Sequence, residues 1–172
     1  MVSSARTPLL LDTGPLLTYL SLKFLDEIEA QQQYRDEVLA DVRGRAFLQV
    51  EQERLALAFV RRTLLTTAHV ATEVFRLRNQ SKLGERKEQF RRFSLNFLMQ
   101  NVSEVQSLLS EVNGDDFRPI LYRHGLTDAA LIVAADKTRS LLLTDDSRLR
   151  NEFGAGTRFE IQLLRDFLNQ GG

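Results

Sequence analysis

The chain has 172 residues, 27% charged and 43% hydrophobic, which fits one globular domain with a sizeable core and excludes a disordered chain. Its 23 Lys and Arg offset 23 Asp and Glu, so net charge names no partner and any nucleic-acid contact must come from a local basic patch. Cysteine is absent, which excludes a disulfide framework and a thiolate metal site and is compatible with a reducing cytoplasm.

The opening MVSSARTPLLLDTG holds too short an apolar run for a signal peptide, and no stretch approaches the ~18 apolar residues of a membrane span. A cytoplasmic protein without a membrane partner is therefore expected. Pro8 to Leu11 is nearly all apolar, which suits a strand covered on both faces in a parallel sheet. Asp12-Thr13-Gly14-Pro15 breaks it, with Pro15 placed for the first turn of a helix. The pattern from Leu16 to about Phe24 predicts that helix, Asp26 to Val42 predicts another ending at Arg43-Gly44-Arg45, and Ala46 to Arg62 a third. Leu64 to Thr67 reads as a second short strand. Thr67 suits the cap of a helix AHVATEVFRL, on which Val70, Val74 and Leu77 share a face flanked by Glu73.

A turn or linker over Asn79 to Gly84 precedes a long helix, or two, from Glu85 to Val112, with Phe90, Phe93, Phe97, Val102, Val105, Leu108 and Leu109 inward. Asn113-Gly114-Asp115 ends it. Thr127 to Thr138 predicts a helix, Ser140 to Leu143 a buried strand, Asp146 to Phe153 a short helix, Arg158 to Leu163 an edge strand and Arg165 to Asn169 a final helix. Short apolar strands alternating with helices argue an α/β fold with a mainly parallel sheet, and no repeat or linker divides residues 1–172 into more than a single domain.

Acids recur where apolar core ends. Asp12 follows the first strand, Glu73 lies on the helix after the second, Asp128 opens a helix of small residues, and Asp145 and Asp146 close the run LLLTDDSRL. In open α/β sheets, ligands collect beyond the carboxyl ends of the strands, so acids distant in sequence can converge there. Crowded carboxylates cannot all stay ionised unless something positive sits among them, and a hard divalent cation with oxygen ligands removes that conflict. An acidic site without cysteine and with little histidine points to Mg2+ or Mn2+ and phosphate chemistry rather than zinc. Each acid alone also has a purely structural use: Asp12 in a turn with Gly14, Asp128 as a helix N-cap, Glu73 as a solvated side chain, Asp145 or Asp146 as the cap of the helix beginning SRLR. Coincidence of all of them is less probable than of any one.

The pieces LLLDTGPLL, LLTTAHVATEV, GLTDAALIVAA and LLLTDDSRL, in that order and spanning both ends of the chain, resemble the PIN-domain nucleases, which include the VapC-type toxins of bacterial toxin–antitoxin pairs. The resemblance implies a PIN-like three-layer α/β/α fold with a short central sheet, acids holding Mg2+ or Mn2+, and endonucleolytic hydrolysis of RNA to 5′-phosphate and 3′-hydroxyl ends. Carried across by position, Asp12, Glu73, Asp128 and Asp146 match the family's catalytic acids and metal ligands. Asp145 occupies a variable place and is kept as a secondary metal ligand. Thr13 and Thr144 match hydroxyl residues that hold metal waters or substrate. Compact toxins have a shorter stretch between the first two acids; here the interval carries an enlarged helical insertion at about 26–62, in a region that often meets an antitoxin. Homodimers are common in the family.

The segment RLRNQSKLGERKEQFRR, Arg76 to Arg92, is a basic concentration beside the second acid. It is either a solvated helical face or a contact with the RNA backbone through Arg86, Lys87, Arg91 and Arg92. Phe90, Phe93 and Phe97 recur at helical spacing, as core rather than base-stacking residues do. His69 suits a partly buried structural place, His124 a loop, and Tyr19 is a candidate cleft residue. Two rivals to a nuclease are a non-catalytic PIN scaffold that binds RNA or protein, and a haloacid-dehalogenase-type phosphatase. The phosphatase chemistry wants a second aspartate two residues after the first, where this chain has Gly14.

Overall fold

A computed structural model of the chain describes residues 7–76, 81–153 and 158–170. Five short strands form its sheet: β1 (Leu9–Leu11), β2 (Leu64–Thr66), β3 (Val102–Glu104), β4 (Leu141–Thr144) and β5 (Glu160–Leu163). They lie in the order β3-β2-β1-β4-β5, and every neighbouring pair is parallel. Parallel strands are covered on both faces, which is why β1 and β4 read as unbroken leucine runs. Leu9, Leu10 and Leu11 are all fully buried, and burying one such side chain is worth about 1.5–3 kcal/mol.

The helices are α1 (Thr13–Glu27), α2 (Gln32–Arg43), α3 (Gln49–Val60), α4 (Ala68–Arg76), α5 (Lys87–Asn101), α6 (Leu109–Val112), α7 (Arg118–His124), α8 (Leu126–Thr138), α9 (Ser147–Phe153) and α10 (Leu164–Asn169). Helices α1 and α8 both pack against β1 and β4 but not extensively against one another, so they cover opposite faces. Ala129, Ala130, Leu131, Ile132, Val133, Ala134 and Ala135 of α8 are all buried, and the small side chains let that helix lie close to the sheet. The α/β class with a parallel sheet agrees with the expectation. Among the described residues no helix is long and apolar enough to cross a membrane.

Several predicted elements differ. The expected helix Asp26–Val42 is divided, because α1 continues to Glu27 and ends in a paired turn before α2 begins at Gln32. The Ala30 N–H reaches the Leu25 carbonyl (3.0 Å), and the Glu29 N–H reaches that of Asp26 (3.1 Å). Glu29 takes the left-handed conformation (φ 47°) that such a helix end requires. Glycine usually marks this turn and is absent here, whereas Gly44 (φ 64°) marks the end of α2 where expected.

The expected helical stretch Glu85–Val112 also breaks. A 3-10 segment, Ser81–Arg86, bends at Gly84 and leads into α5, after which the chain becomes edge strand β3. Leu108 and Leu109, expected inward, are 57% and 69% exposed. Phe90 and Phe93 pack edge-on or tilted against Phe24, and Tyr19, expected as a candidate cleft residue, is buried in the core against Phe59 and Phe97; Phe93 and Phe97 are half-buried at its margin. His124 is the last residue of α7 rather than loop. Leu77, Asn79 and Gln80, and Arg78 of the basic segment, lie outside the described residues.

Candidate functional site

From β1 at its centre the sheet grows one way through β2 and β3 and the other way through β4 and β5. The topological switch point therefore lies between β1 and β4, where an open α/β sheet leaves a crevice beyond its strand ends. Register fixes what stands there. Leu11 pairs with Leu143, so Asp12 and Thr144, one residue further on, are level. The Asp12 N–H donates to the Leu143 carbonyl (3.0 Å), holding the end of β1 beside β4.

Asp12 leaves the strand and caps α1: its Oδ1 accepts from the Thr13 N–H (2.6 Å). Its Oδ2 accepts from the Thr144 hydroxyl (2.6 Å). Burial above all pushes the Asp12 carboxyl up; its two hydrogen bonds oppose that, and the charges of Asp145 and Glu73 add to it. Glu73, on α4, accepts from two threonines, Thr13 Oγ1 at 2.8 Å and Thr127 Oγ1 at 2.6 Å. Asp128 is the third residue of α8, behind Gly125 at the N-cap, so the expected capping role is not the one it plays. Burial, then the charges of Asp12 and Asp146, push its carboxyl up to about 6.

The two adjacent aspartates differ. Asp146 precedes α9 and accepts from the Arg148 N–H (2.7 Å), with a weaker reach from the Leu149 N–H (3.4 Å). The Arg148 guanidinium lies 3.2 Å from Asp146 Oδ2 and is 83% exposed. Those hydrogen bonds, that of the Arg148 side chain foremost, hold the Asp146 carboxyl below the usual range. Asp145 instead forms a two-pronged ion pair with Arg43, the last residue of α2, with Nη2 2.8 Å from Oδ1. Its carboxylate rests over Gly14, where a Cβ would overlap Oδ2.

Interactions thus link Asp12, Glu73, Asp128 and Asp146 at one sheet edge, with Asp145 beside them. Among the described residues, though, no three Asp, Glu or His side chains stand together as a ready-made ligand set. Three of the four are turned toward a hydroxyl, a backbone N–H or an arginine. The donor chemistry fits a hard divalent cation: every donor is oxygen, and burial first, then the neighbouring acids, raises the carboxyls of Asp12 and Asp128.

The basic segment stands apart from the acids. Phe90 and Phe93 of α5 pack against Phe24 in the last turn of α1, the helix that Thr13 begins beside Asp12, and Tyr34 lies in the first turn of α2, the helix whose last residue, Arg43, reaches Asp145. Arg86 stacks over Tyr34 (5.4 Å to the ring centre). Arg91 and Arg92 share Glu88, at 3.9 and 3.1 Å, so the strip is partly neutralised. Arg43, Thr127 and Arg148 were not singled out in the sequence. Thr127 had a legible signal, since a threonine adjoins an acid at Asp12-Thr13, at Thr127-Asp128 and at Thr144-Asp145. Arg43 had none, being far from Asp145 in the chain. No family model and no curated protein matches the chain.

Proposed function

We propose that the protein is a metal-dependent endoribonuclease that hydrolyses RNA phosphodiester bonds, built as a PIN-like domain. The observation that carries this reading is the hydrogen-bonded chain beyond the β1–β4 switch point: Thr144 joins Asp12 to the Asp146 N–H, Thr13 joins Asp12 to Glu73, and Thr127, next to Asp128, is the second partner of Glu73. Asp12, Glu73, Asp128 and Asp146 would hold Mg2+ or Mn2+. When bound there, the cation supplies Lewis acidity to water and to phosphate oxygens.

The chain's own residues do the rest. Thr144 and the Thr13 N–H fix the Asp12 carboxylate, while Thr13 and Thr127 fix Glu73. Arg148 and the strip of Arg86, Lys87, Arg91 and Arg92 offer cations to the RNA backbone, which positions a strand without reading its sequence. Incubating the protein with total RNA and Mn2+, with and without EDTA, tests the reading. Cleavage that EDTA abolishes supports it, and intact RNA in both tubes overturns it.

A second reading is a non-catalytic scaffold of the same shape, a toxin's relative that keeps an antitoxin-like or self-partner but no activity. What favours it is that the acids are already matched by threonines and arginines, with no ready-made ligand set among the described residues. Calorimetry separates the two, because the scaffold has no need to bind Mn2+.

A further inference from the structure

Two aspartates, Asp145 and Asp146, stand side by side where one carboxylate would serve. Their surroundings set them apart. The Arg43 side chain is only 8% exposed and grips Asp145 with both guanidinium nitrogens. Its Nη1 also reaches Thr18 Oγ1 (3.4 Å), and the guanidinium lies over the Phe47 ring (5.9 Å). A planar guanidinium matched to a carboxylate in this two-pronged way is oriented as well as neutralised. Pulling Asp145 toward a cation would strand the Arg43 charge where water scarcely reaches it, which is strongly unfavourable. Asp146 is bound differently. Its Oδ2 faces the guanidinium of Arg148, 83% exposed, and an exposed pair of that kind is cheap to exchange.

The absence of a side chain at Gly14 belongs to the same arrangement, since a Cβ there would collide with Asp145 in its present place. We infer that Arg43 is a positioning residue: it ties the helical insertion to the site and holds Asp145 out of the cation's ligand set, leaving Asp12, Glu73, Asp128 and Asp146 to bind it. This inference rests on the divalent-cation reading above. It also gives the insertion a role within this chain, because the end of α2 delivers Arg43.

Mn2+ binding measured by calorimetry on the intact chain tests it. Removing Asp145 alone would leave the Arg43 charge beside the site and weaken cation binding for that reason, so the pair must be removed together. Arg43→Gln combined with Asp145→Asn is expected to keep the wild-type Mn2+ affinity within about twofold, whereas Asp146→Asn weakens it about tenfold or more. Arg43→Gln alone frees Asp145 to join the donors, so Mn2+ should bind about tenfold tighter than in the wild type. If the polar double variant does not fold, Arg43→Met with Asp145→Leu replaces the ion pair by apolar side chains and answers the same question. A double variant that loses affinity as Asp146→Asn does would show Asp145 to be a ligand and overturn the inference alone. A wild type that binds no Mn2+ overturns the cation reading and this role together.

Discussion

The Thr144 hydroxyl donates to Asp12 Oδ2 at 2.6 Å and accepts from the Asp146 N–H at 2.9 Å, so one fully buried side chain joins the end of β1 to the turn after β4. Thr144→Val keeps the shape and removes both hydrogen bonds, leaving Asp12 Oδ2 and the Asp146 N–H without the hydroxyl. A buried group left without its hydrogen bond costs about 1–3 kcal/mol, and urea unfolding should show a loss of that size. Thr144→Ser, which keeps the hydroxyl, should recover most of it. Equal stability of the valine and serine variants would mean the bridge contributes nothing.

The Asp128 carboxyl gives a pH dependence with a definite sign. Its value rises from 3.8 to about 6 on folding, so the folded state holds the proton more tightly than the unfolded chain. The stability this contributes is complete below 3.8 and is lost as pH rises through about 6. Asp128→Asn cannot ionise and should therefore be more stable than the wild type at about pH 7.5, with the difference closing toward about pH 4. Cation binding should run the opposite way, strengthening as pH rises through about 6, because the ligand is the ionised form. Unfolding curves at both pH values decide the first point; an asparagine variant no more stable than the wild type near neutrality contradicts it. Asp146, held low by Arg148, contributes with the opposite sign, its stability lost as pH falls.

The same contrast explains what was legible in the sequence. Leu9–Leu11 and Leu141–Leu143 announced themselves because strands buried on both faces are apolar almost throughout, although the second strand runs from Leu141 to Thr144 rather than from Ser140 to Leu143. Gly44 marked the end of α2 because glycine takes its left-handed conformation (φ 64°) without steric cost. Strand β3, Val-Ser-Glu, carried no such mark: it is an edge strand with Ser103 and Glu104 exposed, and its alternation blends into the preceding helix. Glu29 hid the end of α1 because the turn's hydrogen bonds, not a glycine, hold its backbone there. Asp12, Asp145 and Asp146 stood out because they close apolar runs, Asp128 because it opens one, and Glu73 because it flanks the apolar face of α4. Arg43 did not, because its partner is chosen by the packing of α2 and by nothing near it in the chain.

The basic strip yields a prediction of the opposite kind, a gain. Glu88 pairs with both Arg91 and Arg92, so its carboxylate competes with any phosphate for them. Glu88→Gln should tighten single-stranded RNA binding, most visibly at low salt. Neutralising Arg86, Lys87, Arg91 and Arg92 together should weaken binding and flatten its salt dependence, by a slope of about 0.7 for each phosphate that no longer meets a cation. A titration series across salt concentrations checks both. Unchanged slopes would return the strip to the role of a solvated helical face.

Asp12 is where structure and chemistry can be separated most cleanly. Asn at this position keeps an oxygen to accept from the Thr13 N–H, the cap of α1. It removes a charge that burial and the neighbouring acids already disfavour. Asp12→Asn should therefore fold, with a melting temperature at or above that of the wild type near neutral pH. Cleavage of RNA should nevertheless fall by about a hundredfold or more, because the proposed cation loses its most deeply held anionic ligand. Circular dichroism and thermal unfolding check the first half, and a Mn2+-dependent cleavage assay the second. A folded Asp12→Asn protein with full metal-dependent activity would place the chemistry elsewhere; an unfolded one would make Asp12 a structural cap before anything else.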